Sequence, residues 1–274
     1  MQLVGNGRVG KTTLAYALEN RRAPDEDFES THGITLKNIP LTLDGETEPV
    51  TLQLWDFGGQ EIYHATHRLF LSDDCLYLLL WAEETGEHPD ETRHPVSYWL
   101  EAIHDLAPNS QIVLIKNQID RSDRLPSMPG ELKEDLPGYQ QIFADLKISA
   151  KKYERFGILN GAFNDVIAKL KHKVCLALPT SWLQVKTALE TLKEKEQQKK
   201  LPFAHFKQLC IKAGINDPAW FADYLHKTGI VFYRQDAFKN QIILNQNWAI
   251  TAVYKLFDPK EHRLRLEGMG GGAV

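Results

Sequence analysis

Residues 5–12 read GNGRVGKT, a full match to the phosphate-binding pattern G-x-x-x-x-G-K-[ST]. Gly5, Gly7 and Gly10 allow the backbone to curl so that successive N–H groups, those of Asn6, Arg8 and Val9 among them, can turn toward phosphate oxygens. Lys11 has the length to reach a β- or γ-phosphate, the Thr12 hydroxyl suits Mg²⁺, and Thr13 completes the candidate nucleotide-binding set. A short apolar run, Met1–Val4, leads in, and a helical stretch, Thr12–Leu18, leads out. This is the strand–loop–helix setting the motif needs, with a helix N-terminus aimed at the anion.

Two later segments choose the nucleotide. Residues 56–61 read DFGGQE after a strand-like run. Asp56 at a strand end can hold Mg²⁺ through a water, and the N–H of Gly58 or Gly59 can face a γ-phosphate. Residues 117–120 read NQID after the apolar run Gln111–Lys116. A carboxylate at Asp120 can accept both N1–H and N2–H₂ of guanine, a donor pair that adenine lacks. Asn117 would tie the base and the phosphate loop together, and Ser149, Ala150 and Lys151 would offer backbone N–H to guanine O6. Thr31, in the polar stretch 21–32, is placed to complete a Mg²⁺ shell when a γ-phosphate is present, which would make that stretch a switch.

The elements that must carry these loops follow from patterning. The first 178 residues alternate strand-like and helix-like segments, which predicts an α/β fold: a mostly parallel sheet with helices on both faces. Ile34–Leu43 and Val50–Asp56 flank an Asp44-Gly45 turn signal and predict an antiparallel hairpin. Cys75–Trp81, Gln111–Lys116 and Phe143–Ile148 predict buried strands; Ser97–Leu106 and Gly161–Leu178 predict helices. Residues 121–140, with three prolines, read as an irregular insertion. Beyond Pro179, Ser181–Lys200, Phe203–Ala213, Pro218–Thr228 and Asn247–Phe257 read as helices, with Ile230–Tyr233 and Gln241–Leu244 as strands, a winged-helix-like order. The boundaries are therefore 1–178, 179–266 and a flexible Gly-rich tail, 267–274.

Composition agrees with two domains of unlike character. From position 180 onward there are 14 basic against 9 acidic residues; before it there are 18 against 27. No run is long and apolar enough to span a membrane, and Cys75, Cys175 and Cys210 lack metal or disulfide spacing, so a cytoplasmic, reduced protein is expected. The chain begins inside its first strand, which reads as a piece of a longer protein. Trp182, Trp220 and Trp248 are expected to pack a core, and the KEKEQQKK run to be a solvated helix end.

In combination these motifs resemble a Ras-like GTPase and, more closely, the Roc domain of the Roco family, through THGI (31–34) and WDFGGQEIYHATHRLF (55–70). The second half resembles the start of COR, through SWLQVK (181–186), LCIKAGI (209–215), YLHKTGIV (224–231) and NWAI (247–250). The resemblance implies a GTP/GDP switch with Mg²⁺ held by Thr12, Thr31 and Asp56, and slow hydrolysis by Lys11, Thr31 and a water-orienting Gln60. It also implies a multidomain signalling protein with leucine-rich repeats, further COR sequence that dimerises it and, in some members, a kinase. His64 and His67 then belong to the family string rather than to a metal site. Two positions depart from the family pattern. Gln118 replaces the Lys of N-K-x-D, which lays its stem across the purine, so weaker guanine affinity is expected; Arg8 replaces a Gly, and its side chain must point away from the phosphates or toward a partner's nucleotide. The competing readings are a STAND-type ATPase, against which NQID and the hairpin argue, and a nucleotide-stabilised interaction scaffold. DNA binding is disfavoured because Pro218–Thr228 carries Trp220, Phe221, Tyr224 and Leu225 with Lys227 its sole Lys or Arg.

Overall fold

The computed structural model describes residues 1–25, 34–41, 50–57, 71–83, 93–174, 179–233 and 240–257. They form two compact units, Met1–Leu170 and Lys171–Leu256.

The first unit is built on six strands: β1 (Gln2–Val4), β2 (Ile34–Leu41), β3 (Val50–Phe57), β4 (Leu76–Trp81), β5 (Gln111–Lys116) and β6 (Ile142–Lys147). Their order is β2-β3-β1-β4-β5-β6. Only β2 runs antiparallel to its neighbour, pairing Ile34 with Phe57 through Leu41 with Val50; the other pairs are parallel. The expected antiparallel pair and mostly parallel sheet are thus both present; the Asp44-Gly45 turn lies outside the described residues. β4 and β5 are apolar along nearly their whole length because both faces are covered. The covering helices are α1 (Lys11–Asn20), α2 (Val96–Leu106) and α3 (Phe156–Val174). α1 buries Leu14, Ala15, Ala17 and Leu18, and α2 buries Val96, Trp99, Leu100, Ala102 and Ile103, each a stripe at helical spacing.

Parallel pairing brings the C-terminal ends of β1, β3, β5 and β6 to one edge, the edge where α/β sheets bind ligands. α3 starts at Phe156 rather than at Gly161. Gly157 and Gly161 weaken the helical signal but have open space around them, so the helix runs through both. Residues 121–140 form successive turns, and a short 3₁₀ turn follows at Tyr139–Gln141.

The second unit comprises α4 (Thr180–Glu194), β7 (Lys200–Pro202), α5 (Phe203–Lys212), α6 (Pro218–Lys227), β8 (Gln241–Ile243) and α7 (Gln246–Phe257). The helix expected to reach Lys200 stops at Glu194. Gln197 takes a left-handed φ of 54°, and Pro202 suits a strand end better than a helix, so Lys200–Pro202 pairs with β8 instead. The strand expected at Ile230–Tyr233 is reduced to a bridge from Phe232 to Ile243. The resulting order is helix–strand–helix–helix–bridge–strand–helix, with which the expected winged-helix-like order is consistent.

α5 and α6 end alike. Gly214 and Gly229 have φ of 79° and 72°. Behind each, paired backbone bonds close the helix: Gly214 N–H to Ile211 O and Ile215 N–H to Cys210 O, then Gly229 N–H to His226 O and Ile230 N–H to Leu225 O. α6 begins on Asp217, whose carboxylate accepts from the Trp220 N–H at 3.0 Å, followed by Pro218. The core gathers Val185, Leu189, Phe206, Phe221, Leu225 and Ile242. Cys210 lies within it, and burial pushes its thiol up to about 12, so it is chemically quiet.

The tryptophans do not all join this core as expected. Trp220 is 51% exposed and Trp182 and Trp248 are half-buried. On α6 the side of the helix that carries Trp220 faces outward, and the ring meets Trp182 at 5.3 Å and Tyr224 at 5.8 Å, while Lys199 caps the Trp248 ring. Among the described residues no helix is long and apolar enough to cross a membrane.

Phe206 is enclosed between Phe203 and Phe221. Phe206→Ala is expected to destabilise the second unit by about 3–5 kcal/mol, read as a lower urea midpoint in tryptophan fluorescence.

Candidate nucleotide-binding site

The loop from Gly5 to Gly10 leaves β1 and enters α1 with three left-handed residues: Gly5 (φ 134°), Arg8 (59°) and Gly10 (89°). Gly7 is not among them; Arg8 takes the turn expected of a glycine. A Cβ on Gly5 would sit 2.2 Å from the Leu80 carbonyl oxygen, and one on Gly10 would sit 2.4 Å from Asn117 Nδ2, so both positions exclude a side chain. The Arg8 side chain is exposed.

Most of the loop's carbonyls are held by named donors. Lys11 Nζ donates to Gly5 O at 2.9 Å and Asn6 O at 2.7 Å. Gln118 Nε2 donates to Arg8 O at 2.6 Å, Asn117 Nδ2 to Val9 O at 2.8 Å, and the Leu14 N–H to Gly10 O at 2.9 Å. These bonds fix the path of the loop between β1 and α1. Lys11 is buried, and desolvation lowers its pKa to about 8 against an opposing pull from Asp56. Asp56 is itself buried near the end of β3. Thr12 and Thr13 begin α1, half-buried. Thr31, Gly58, Gly59, Gln60, His64 and His67 lie outside the described residues.

Asn117 follows β5 and is 2% exposed. Its Nδ2 reaches Val9 O, and its Oδ1 accepts the Ala150 N–H at 2.9 Å, so one side chain joins the phosphate loop to the segment Ser149–Lys151. Asp120 presents an exposed carboxylate that accepts from the Ser149 hydroxyl at 2.5 Å. Lys151 is exposed. Gln118, at φ 59°, folds its amide onto the phosphate loop rather than outward.

Behind this surface stands a cluster that motif reading missed. The Lys116 side chain is 0% exposed; its ammonium donates to Glu83 Oε1 at 2.5 Å and Asp123 Oδ1 at 3.2 Å, bonds the Leu125 carbonyl, and lies 5.8 Å from the Trp81 ring. Glu83, 10% exposed, also accepts from the Ser122 hydroxyl and from the Leu125 N–H at 2.8 Å. These bonds pin the loop 118–125 to the ends of β4 and β5. The available sign in sequence was a lysine closing an otherwise apolar central strand, since a buried charge needs partners. Among the described residues no group of three His, Cys, Asp or Glu could hold a metal ion.

The hydrogen bonds from Lys116 and Ser122 hold the Glu83 carboxyl down at about 2. A depressed carboxyl contributes stability that is full above its unfolded value and fades as pH falls through the folded one. Glu83→Gln is therefore expected to lower the melting temperature at neutral pH, with the gap to the parent closing between about pH 4.5 and 2. Adding Lys116→Met should recover most of the loss, because it removes the enclosed charge. Thermal melts by circular dichroism across that range check both.

Comparison with known proteins follows the same division. Residues 1–120 match the family described as Ras of Complex, Roc, domain of DAPkinase, and residues 179–270 match the C-terminal of Roc, COR-A domain. A Roc-COR-CHAT protease of Runella zeae is 28% identical over 94% of this chain and 29% of its own length. Leucine-rich repeat serine/threonine-protein kinase 1 of Caenorhabditis elegans is 41% identical over 34% of this chain and 4% of its own length. The chain spans less than a third of the curated relatives it matches first. The solved structure of Methanosarcina barkeri Roco2 RocCORdC bound to GDP superposes with a TM-score of 0.73 at 27% identity, covering 94% of this chain and 76% of that one. The chain belongs to the Roco family: it joins a Ras-like Roc GTPase domain to the COR-A part of COR.

Proposed function

We propose that this chain is a guanine-nucleotide switch that binds GTP and GDP and hydrolyses GTP slowly with Mg²⁺, serving as the regulatory module of a multidomain Roco protein. The observation that supports it most directly is the Asn117 side chain, which makes the phosphate loop and the guanine-reading segments one piece. The Methanosarcina relative was solved bound to GDP, which points the same way.

In this reading residues 1–178 are Roc, 179–266 are COR-A and 267–274 a tail. Lys11 leaves its carbonyl partners to neutralise charge on the β- and γ-phosphates, and loop N–H groups between Gly5 and Thr13 cradle them. Asp120 accepts guanine N1–H and N2–H₂ while the Ser149 hydroxyl orients it, and backbone N–H groups of Ser149–Lys151 meet O6. Gln60 orients the attacking water, with Gly59 at the γ-phosphate. Thr12, Asp56 and Thr31 are hard oxygen donors of the type Mg²⁺ takes, and the buried Asp56 carboxylate beside Lys11 fits that role. When bound, the ion offsets phosphate charge that the loop alone leaves uncompensated. The wider protein supplies further COR sequence for a homodimer, leucine-rich repeats, and an effector such as a kinase, and works in the cytoplasm.

Calorimetric titration with GDP, a non-hydrolysable GTP analogue and ADP, Mg²⁺ present, tests the reading. Guanine nucleotides are expected to bind with ADP weaker by about 10⁴-fold; equal or preferential ADP binding would overturn it. Turnover of GTP on the order of 10⁻³ s⁻¹ is expected, and none over many hours would leave a nucleotide-stabilised scaffold.

Lys11 adds a pH dependence. Its burial costs stability below pH 8, and that cost fades as pH rises from 8 toward the unfolded value. Bound phosphates restore the ammonium, so binding above pH 8 should take up part of a proton, an uptake that shrinks as pH falls below 8. The slope of observed enthalpy against buffer ionisation enthalpy measures it, and Lys11→Met should abolish it.

A further inference from the structure

Asn6 lies in the phosphate loop, yet its side chain is bonded to residues far along the chain. Nδ2 donates to the His94 carbonyl at 2.8 Å, and Oδ1 accepts the His94 N–H at 3.1 Å, so one side-chain amide pairs with both polar groups of one distant residue. The same Oδ1 accepts the Trp99 Nε1–H at 3.2 Å. The Asn6 carbonyl in turn accepts from Lys11 Nζ at 2.7 Å. A continuous set of hydrogen bonds therefore runs from the phosphate-reaching lysine, through Asn6, to the start of α2.

That start has no cap of its own. The residue preceding α2 is Pro95, which contributes no side-chain hydrogen bond to the first turn. A helix without a side-chain cap leaves its first N–H groups poorly satisfied and its terminus prone to fray. Here the approach is fixed instead by a residue of the first loop, and aromatic packing shares the anchoring: the His94 and Tyr98 rings stack at 4.0 Å, and Trp99 meets both edge-on.

We infer that Asn6 is a positioning residue through which nucleotide occupancy of the phosphate loop sets the order of residues 93–99, the start of α2. The inference rests on the nucleotide-binding reading above. Phosphates that draw Lys11 off the Asn6 carbonyl re-seat Asn6, and its paired bonds to His94 carry the change to α2. The nucleotide contact of Asn6 is then through its backbone, and the side chain serves transmission.

Amide hydrogen exchange on the whole chain, with and without GDP and Mg²⁺, tests this at peptides covering 93–100 and 117–122. In the parent protein GDP should slow exchange in both, by about tenfold or more at 93–100. At GDP concentrations that saturate the variant, with saturation read from the 117–122 peptide, Asn6→Ala should lose the slowing at 93–100. Asn6→Asp, which retains the acceptor for His94 N–H and Trp99 Nε1–H but not the donor, should keep part of it. If Asn6 is merely structural, Asn6→Ala raises exchange at 93–100 equally with and without GDP and the ligand-dependent difference survives; that result overturns the inference. No slowing in either parent peptide removes the nucleotide reading, and this inference with it. Should Asn6→Ala fail to fold, Trp99→Phe deletes one bond from the α2 side: a reduced difference at 93–100 supports the link, and an unchanged one overturns it.

Discussion

One buried side-chain amide organises the site. Asn117 gives its donor to the Val9 carbonyl and its acceptor to the Ala150 N–H, and almost none of it touches solvent. Parallel strands deliver three loops to the same edge of the sheet, but strand pairing does not fix how those loops sit on one another. The amide does, because a buried donor or acceptor left unmatched costs about 1–3 kcal/mol. Each loop thereby has one position in which all three are satisfied, and the glycine at position 10 is required partly because this amide occupies the space a Cβ would need.

Around that bridge the loop geometry is shared between unusual residues. Arg8 and Gln118 both hold left-handed backbone conformations, which are unfavourable for residues with a side chain, and they are bonded to each other by the Gln118 amide on the Arg8 carbonyl. Strain at each is compensated by the same contact. Farther back, Lys116 and Glu83 give the loop 118–125 a rigid footing on β4 and β5. The site is held from behind by ion pairing and from the side by amides.

The architecture was largely legible from the chain. Continuous apolar runs identify β4 and β5, the Asp44-Gly45 signal identifies the antiparallel edge, and helical spacing identifies α2, because these patterns report burial directly. Reading erred where local propensity conflicts with tertiary context. Gly157 and Gly161 concealed the start of α3, and the charged run after Glu194 concealed β7, which exists because β8 lies beside it. Trp220 was misplaced because hydrophobicity says that a ring favours burial, not that the second unit has room for it. Motif strings mark the loops that meet at the sheet edge. They do not show that Asn6 points to α2, that Gln118 bends back onto Arg8, or that Lys116 has acids waiting, since those depend on pairs of residues far apart in sequence.

The sheet order also governs how the molecule must assemble. β1 lies between β3 and β4, and its register couples Gln2 to Trp55 on one side and to Tyr77 on the other. β1 therefore waits for partners that follow much later in the chain, while the β2–β3 pair can close locally. Such distant pairing pays its loop-closure entropy before any contact rewards it. The glycine loop hangs from β1, so the nascent chain carries this motif long before it has any shape, and the part of the molecule most easily recognised by eye is among the last to become a physical object.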